Sequence, residues 1–168
     1  MAERKEIILL MGGNLGDTKG YFDHARRLIE QQVGSIVEHS EILSTEAWGF
    51  EASTTFLNQA LKVRSTLCAE RVLAEVLKIE HEVGRNRTRE AQQRHADGQE
   101  YASRIIDIDI ITYAQEVISL DRLTIPHKLM HRREFVLEPM AQIAASWQHP
   151  LLGRNTLELL KDLKNNTL

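Results

Sequence analysis

Apolar residues recur along this chain at three spacings, and each spacing predicts a different element. Ile7-Ile8-Leu9-Leu10-Met11 is an unbroken apolar run ahead of Gly12-Gly13, which predicts a buried strand stopped by a glycine-containing turn over 12–17. Tyr21, Phe22, Ala25, Leu28, Ile29 and Val33 follow a helical period and predict a helix over roughly 18–32, with Gly34 as its stop. A strand over 36–43 is expected next, then a loop over 44–54 containing Trp48 and Phe50. Over 55–64 the period falls to two. Leu57, Leu61 and Val63 share one face, and Phe56, Asn58 and Ala60 share the other. Ser65 is placed to cap a second helix that carries Leu73, Val76, Leu77 and Val83 inward and ends at Gly84.

The pattern then lapses. Residues 85–103 have no apolar period and include Arg85, Arg87, Arg89 and Arg94. A loop of this length inside a compact domain is usually functional or disordered, and the functional reading is favoured because it leads straight into a strand over 104–112. Short apolar patches follow at Val117-Ile118 and Leu123–Ile125, then a helix over about 133–142. Asn155-Thr156-Leu157-Glu158 has the form of a capping box opening the last helix. The order strand, helix, strand, strand, helix, strand predicts an α+β chain with a ferredoxin-like βαββαβ core, an antiparallel-rich sheet and a C-terminal extension.

Composition narrows the classes. The 168 residues fit one domain, 1–168, and 42% hydrophobic with 27% charged residues is an ordinary globular balance. A net charge of −3 argues against nucleic acid or an anionic membrane as the main partner. Cys68 is the only cysteine, so neither an intrachain disulfide nor a cysteine-based zinc site can form. With no apolar run long enough for a signal or a span, a cytoplasmic location is expected.

Arg104-Ile105-Ile106-Asp107-Ile108-Asp109 carries the clearest chemistry. Strand alternation puts Asp107 and Asp109 on one face and Ile106, Ile108 and Ile110 on the other. Two carboxylates this close repel, so either one titrates high or a cation sits between them. Mg²⁺ characteristically takes one or two protein carboxylates together with substrate phosphates, and Arg104 offers a planar donor fork for a phosphate. The plain alternative is a strand face that is polar by alternation alone. Phe56 and Asn58 can stack on and hydrogen-bond a flat heterocycle, or can simply lie beneath a helix. Gly12-Gly13-Asn14-Leu15-Gly16 fits neither common phosphate-loop pattern and reads as a tight turn.

Taken in order, these stretches resemble one family: 6-hydroxymethyl-7,8-dihydropterin pyrophosphokinases of folate biosynthesis. The anchors are Gly12–Gly16, Phe56-Leu57-Asn58, Glu80 before Gly84-Arg85, Arg104–Ile110, and Leu123–His127 with Arg133 and Phe135. The family usually carries a serine at the position of Gly13. The resemblance implies diphosphate transfer from ATP to the pterin hydroxymethyl group, with two Mg²⁺ ions held by Asp107 and Asp109. Arg104 and Arg85 would join the aspartates in catalysis. ATP contacts would come from Glu80, Arg85, Arg87, Arg104, Ile110, Arg122, Thr124, His127 and Arg133. The pterin would lie between Phe56 and Phe135, be read by Asn58 and Thr45, and be covered by Tyr101 as the 85–103 loop closes. Small-molecule substrates and a monomeric state are expected. Two alternatives remain open at this point: a Mg²⁺-dependent nucleotidyltransferase and a non-catalytic ferredoxin-like nucleotide-binding module.

Overall fold

The computed structural model describes residues 3–45, 55–84 and 105–166. The elements in chain order are β1 (Lys5–Gly13), α1 (Thr18–Gln32), β2 (Ser35–His39), β3 (Leu43–Thr45), β4 (Phe56–Ser65), α2 (Ala69–Val83) and β5 (Asp107–Tyr113). The hairpin β6 (Ile118–Leu120) and β7 (Leu123–Ile125), a short 3-10 turn (Met130–Arg132), α3 (Glu134–Ala144) and α4 (Thr156–Asn166) follow. The main sheet runs β2-β4-β1-β5, every pair antiparallel, and β3 continues the β2 edge along the other end of β4. This is the ferredoxin-like arrangement expected from the order of elements.

Alternation divides the sheet into two apolar faces. Ile7, Leu9, Met11, Leu61, Val63, Ile106, Ile108 and Ile110 pack beneath α1 and α2. Ile8, Leu10, Ala60 and Ile111 pack beneath α3 and α4 with Leu137, Met140 and Leu160. Burial on both faces explains why β1 reads as a continuous apolar run.

Four local readings change. First, the strand expected over 36–43 is interrupted at Ser40, whose hydroxyl accepts from the Ala60 N–H at 2.9 Å and takes the place of a ladder partner. Second, Ser65 is the last residue of β4 and caps no helix. Its hydroxyl donates to the Val33 carbonyl at 2.6 Å, and α2 starts after Cys68 without a side-chain cap. Third, β1 runs through Gly12 and Gly13 where a turn was expected. Fourth, the described part of the fourth core strand begins at Asp107, and a bulge between Ile8 and Leu9 shifts its register against β1. The remaining helices fall close to their expected bounds. Asn155 Oδ1 accepts from the Glu158 N–H at 2.8 Å and Glu158 Oε1 accepts from the Asn155 N–H at 3.2 Å, completing the capping box.

Candidate active site

The site is built at the end of the sheet where the second apolar face gives way to polar residues. Ala60, Leu10 and Asp109 form one row across β4, β1 and β5, and the next row is Asn58, Gly12 and Asp107. Opposed residues in a ladder share a face, so Asp107 and Asp109 do project to the same side. That is the side opposite the buried Ile108 and Ile110. Both aspartates are half-buried.

Gly12 lies between Asn58 and Asp107, and its lack of a side chain leaves room for the Asn58 amide. A Cβ there would come 2.9 Å from Asn58 Oδ1. Adjacent strands are about 4.8 Å apart, so Asn58 and Asp107 stand roughly 10 Å apart across a bare glycine floor. At Gly13 a Cβ would sit 2.5 Å from the Ile105 carbonyl oxygen, so the serine usual at this position is excluded unless the backbone shifts. Asn58 is buried, and its Nδ2 donates to Thr45 Oγ1 at 3.4 Å. Thr45 in turn pairs with Phe56, which brings three of the four expected pterin-binding residues in the described chain into one corner.

A second cluster enters from the C-terminal extension. The Ile125–Pro126 peptide is cis, and the next residue, His127, donates its backbone N–H to the Ile111 carbonyl at 2.8 Å. That bond fastens the end of β7 to the outer edge of β5. His127 Nδ1 lies 3.4 Å from the Leu129 N–H as its acceptor, which leaves Nε2 as the proton-bearing nitrogen. Burial lowers the His127 ring pKa, the Arg133 guanidinium lowers it further, and Asp107 pulls it partly back. These three groups therefore act on one another. The Arg133 guanidinium lies 5.6 Å from the centre of the Phe135 ring, at the start of α3. Arg133 and Phe135 thus stand together at the start of α3, with His127 on the segment that precedes it.

Other expected residues are placed less centrally. Arg122 lies in the β6–β7 turn and Thr124 on β7, both exposed. The Ile110 side chain belongs to the core, so any nucleotide contact there falls to its backbone. Glu80 is 2% exposed and accepts from the Ile108 N–H at 2.6 Å through Oε2. Arg85, Arg87, Tyr101 and Arg104, with the 85–103 loop, lie outside the described residues. Among the described residues, no three or more His, Cys, Asp or Glu side chains converge as a metal site. The aspartate pair with phosphate oxygens and water is nevertheless a donor set that suits Mg²⁺. No helix among the described residues is long and apolar enough to cross a membrane.

The sequence reading did not anticipate the glycine floor or the attachment of Glu80 to the aspartate strand. A signal for the second was present. Val72, Val76, Ile79 and Val83 mark the inward stripe of α2, Leu77 is exposed where it was expected to face inward, and Glu80 falls within the stripe.

The family model for 7,8-dihydro-6-hydroxymethylpterin-pyrophosphokinase (HPPK) matches residues 8–145. The 2-amino-4-hydroxy-6-hydroxymethyldihydropteridine pyrophosphokinase of Aquifex aeolicus is 33% identical over 163 residues, covering 96% of this chain and 92% of that protein. The Bacillus subtilis protein of the same name is 32% identical over 136 residues, covering 80% of this chain and 75% of its own length. The fold also matches the crystal structure of wild-type Plasmodium falciparum HPPK-DHPS with pteroate, at a TM-score of 0.75 and 12% identity. That alignment covers 98% of this chain but 45% of the longer one, so this chain spans just under half of it. With a family match across most of its length and relatives of similar size at one-third identity, the chain belongs to the 7,8-dihydro-6-hydroxymethylpterin-pyrophosphokinase family.

Proposed function

We propose that this chain transfers the diphosphate of ATP to the hydroxymethyl group of 6-hydroxymethyl-7,8-dihydropterin, releasing AMP, as a step of folate biosynthesis. The observation that carries this reading is the row Asn58–Gly12–Asp107, where an amide able to read a ring edge faces a carboxylate across an open floor.

In this reading Thr45 and Asn58 hydrogen-bond the pterin edge while Phe56 and Phe135 stack on its faces. The pterin hydroxyl oxygen attacks the β-phosphorus of ATP. A bond forms between them, the bond from that phosphorus to the α–β bridging oxygen breaks, AMP leaves with that oxygen, and the hydroxyl proton passes to water. Asp107 and Asp109 would hold two Mg²⁺ ions, which when bound supply charge neutralisation of the triphosphate. Arg133 and the Nε2–H of His127 donate to phosphate oxygens, where charge-assisted bonds are strongest. Arg122 and Thr124 flank the same side, and the Ile110 backbone meets the nucleotide. Arg85, Arg87, Arg104 and Tyr101 complete the set on the strength of the family resemblance. Positioning and electrostatics carry the rate, with no side-chain general base assigned. A monomer in the cytoplasm acting on these two small molecules completes the proposal.

The test is product identity. Purified protein with Mg²⁺, ATP and the pterin should form AMP and a pterin diphosphate in equal amounts, followed by phosphorus NMR. Release of inorganic pyrophosphate would instead indicate a nucleotidyltransferase, and no turnover would indicate a binding module.

A further inference from the structure

We propose that Glu80 is a positioning residue for the aspartate pair, acting through the backbone of Ile108 and not as a ligand of the nucleotide. The inference rests on the reading of Asp107 and Asp109 as metal-holding residues.

Among the described residues β5 is the outer strand of the sheet, with no strand beyond it in the order β2-β4-β1-β5. In an antiparallel ladder backbone groups alternate between the partner and the outside. The Ile108 N–H points outward, because it donates to Glu80 Oε2 at 2.6 Å. Ile108 stands between the two aspartates, and the peptide unit that bears this N–H joins it to Asp107. A carboxylate acceptor therefore clamps one of the two peptide planes that flank Asp107, the one it shares with Ile108.

The face from which Glu80 arrives argues against direct contact with substrate. Its neighbours on α2, Val76, Ile79 and Val83, pack with Ile108 and Ile110 on one side of the sheet. Asp107 and Asp109 share the opposite face with Leu10, whose cluster lies under α3 and α4. Glu80 is also 2% exposed, and a buried carboxylate at an inward helical position is costly unless its hydrogen bonds are made. A residue kept there at such cost holds the strand from behind while the aspartates work in front.

The test compares Glu80→Ala and Glu80→Gln in the full chain. Glutamine keeps an acceptor oxygen for the Ile108 N–H, and alanine removes it. Two readouts are independent of turnover: hydrogen exchange of the Ile108 amide, and paramagnetic broadening of the Asp107 and Asp109 amide signals by Mn²⁺ without nucleotide. In Glu80→Ala the Ile108 amide should lose protection. The Mn²⁺ concentration for half-broadening, and the Mg²⁺ concentration for half-maximal turnover, should rise about 10–100-fold, the usual effect of removing a residue that orients a metal ligand. Glu80→Gln should restore all three. If the alanine variant does not fold, Glu80→Asp, one methylene short, should show the same losses. Unchanged exchange or unchanged Mn²⁺ response in Glu80→Ala overturns the inference, and so does a glutamine variant as impaired as the alanine one. Asp107→Ala separates the two readings. If it abolishes broadening while Glu80→Ala does not alter it, only the role of Glu80 fails. If the wild-type chain shows no broadening at these amides, the metal reading fails and takes this inference with it.

Discussion

The backbone N–H of His127 donates to the carbonyl of Ile111 at 2.8 Å, two residues beyond Asp109 on the same strand. The bond is made by the main chain, and with Nδ1 facing the Leu129 N–H, the Nε2–H of His127 is left for other work. His127→Ala should keep the β7 attachment and a melting temperature close to that of the wild type. Loss of a donor to a phosphate should weaken ATP binding by about 1.5–3 kcal/mol, roughly 10–100-fold. Calorimetry with a non-hydrolysable ATP analogue checks it, and unchanged affinity would remove His127 from the nucleotide side.

Gly12→Ala should act on the pterin more than on the nucleotide. Its Cβ would press on Asn58 Oδ1 from 2.9 Å, and a side-chain neighbour of this kind gives way more easily than backbone does. We expect a folded protein with pterin affinity lowered about tenfold, from the displaced amide alone. Titration of each substrate separately would show whether the loss is confined to the pterin.

Asp107→Ala and Asp109→Ala should each reduce turnover at saturating Mg²⁺ by at least about 100-fold, or ~3 kcal/mol of transition-state stabilisation. Near-normal rates in either variant would contradict the assigned role.

Asn58→Leu leaves polar groups of a bound pterin unpaired at ~1–3 kcal/mol, and Phe135→Ala removes a stacking face. Both should raise the pterin dissociation constant. If neither does, the pterin binds elsewhere.

His149 gives a pH-dependent contribution to stability. Its Nδ1 accepts from the Leu151 and Leu152 N–H groups at 3.1 and 3.2 Å, a role open only to the neutral ring. Burial, and then the charge of His131, lower its pKa below the ordinary 6.5. The unfolded chain therefore takes up the proton first as pH falls. The stabilisation is complete above about pH 6.5 and is lost as pH falls through the folded-state pKa. His149→Asn supplies an acceptor that does not titrate, so its melting temperature should fall less than the wild type's between pH 7 and 5. Equal slopes would show that His149 is not responsible.

Much of this could be read from the sequence because alternation is a local property. The aspartate face of β5 and the split faces of β4 follow from period two, and the Asn155–Glu158 box closes within four residues. What could not be read depends on residues far away in the chain. Gly12-Gly13 resembles a turn until Asn58 and Ile105 are brought against it. Ser65 looks like a cap, but the Val33 carbonyl takes its hydroxyl. A serine at the end of a strand cannot reveal that its hydroxyl will donate to a distant carbonyl rather than accept from a helix N–H.

The supports of β5 have a further consequence. An outer strand with open backbone groups is a template on which a second chain can add a strand, and long uncovered edges promote aggregation. Here the Glu80 carboxylate occupies the donor at Ile108 and the His127 amide occupies the acceptor at Ile111. The buried Glu80 side chain also stands where an incoming strand would have to lie. Substitutions that loosen these two bonds should therefore lower soluble yield on expression as well as activity, because they would uncover the edge of the strand that bears the chemistry.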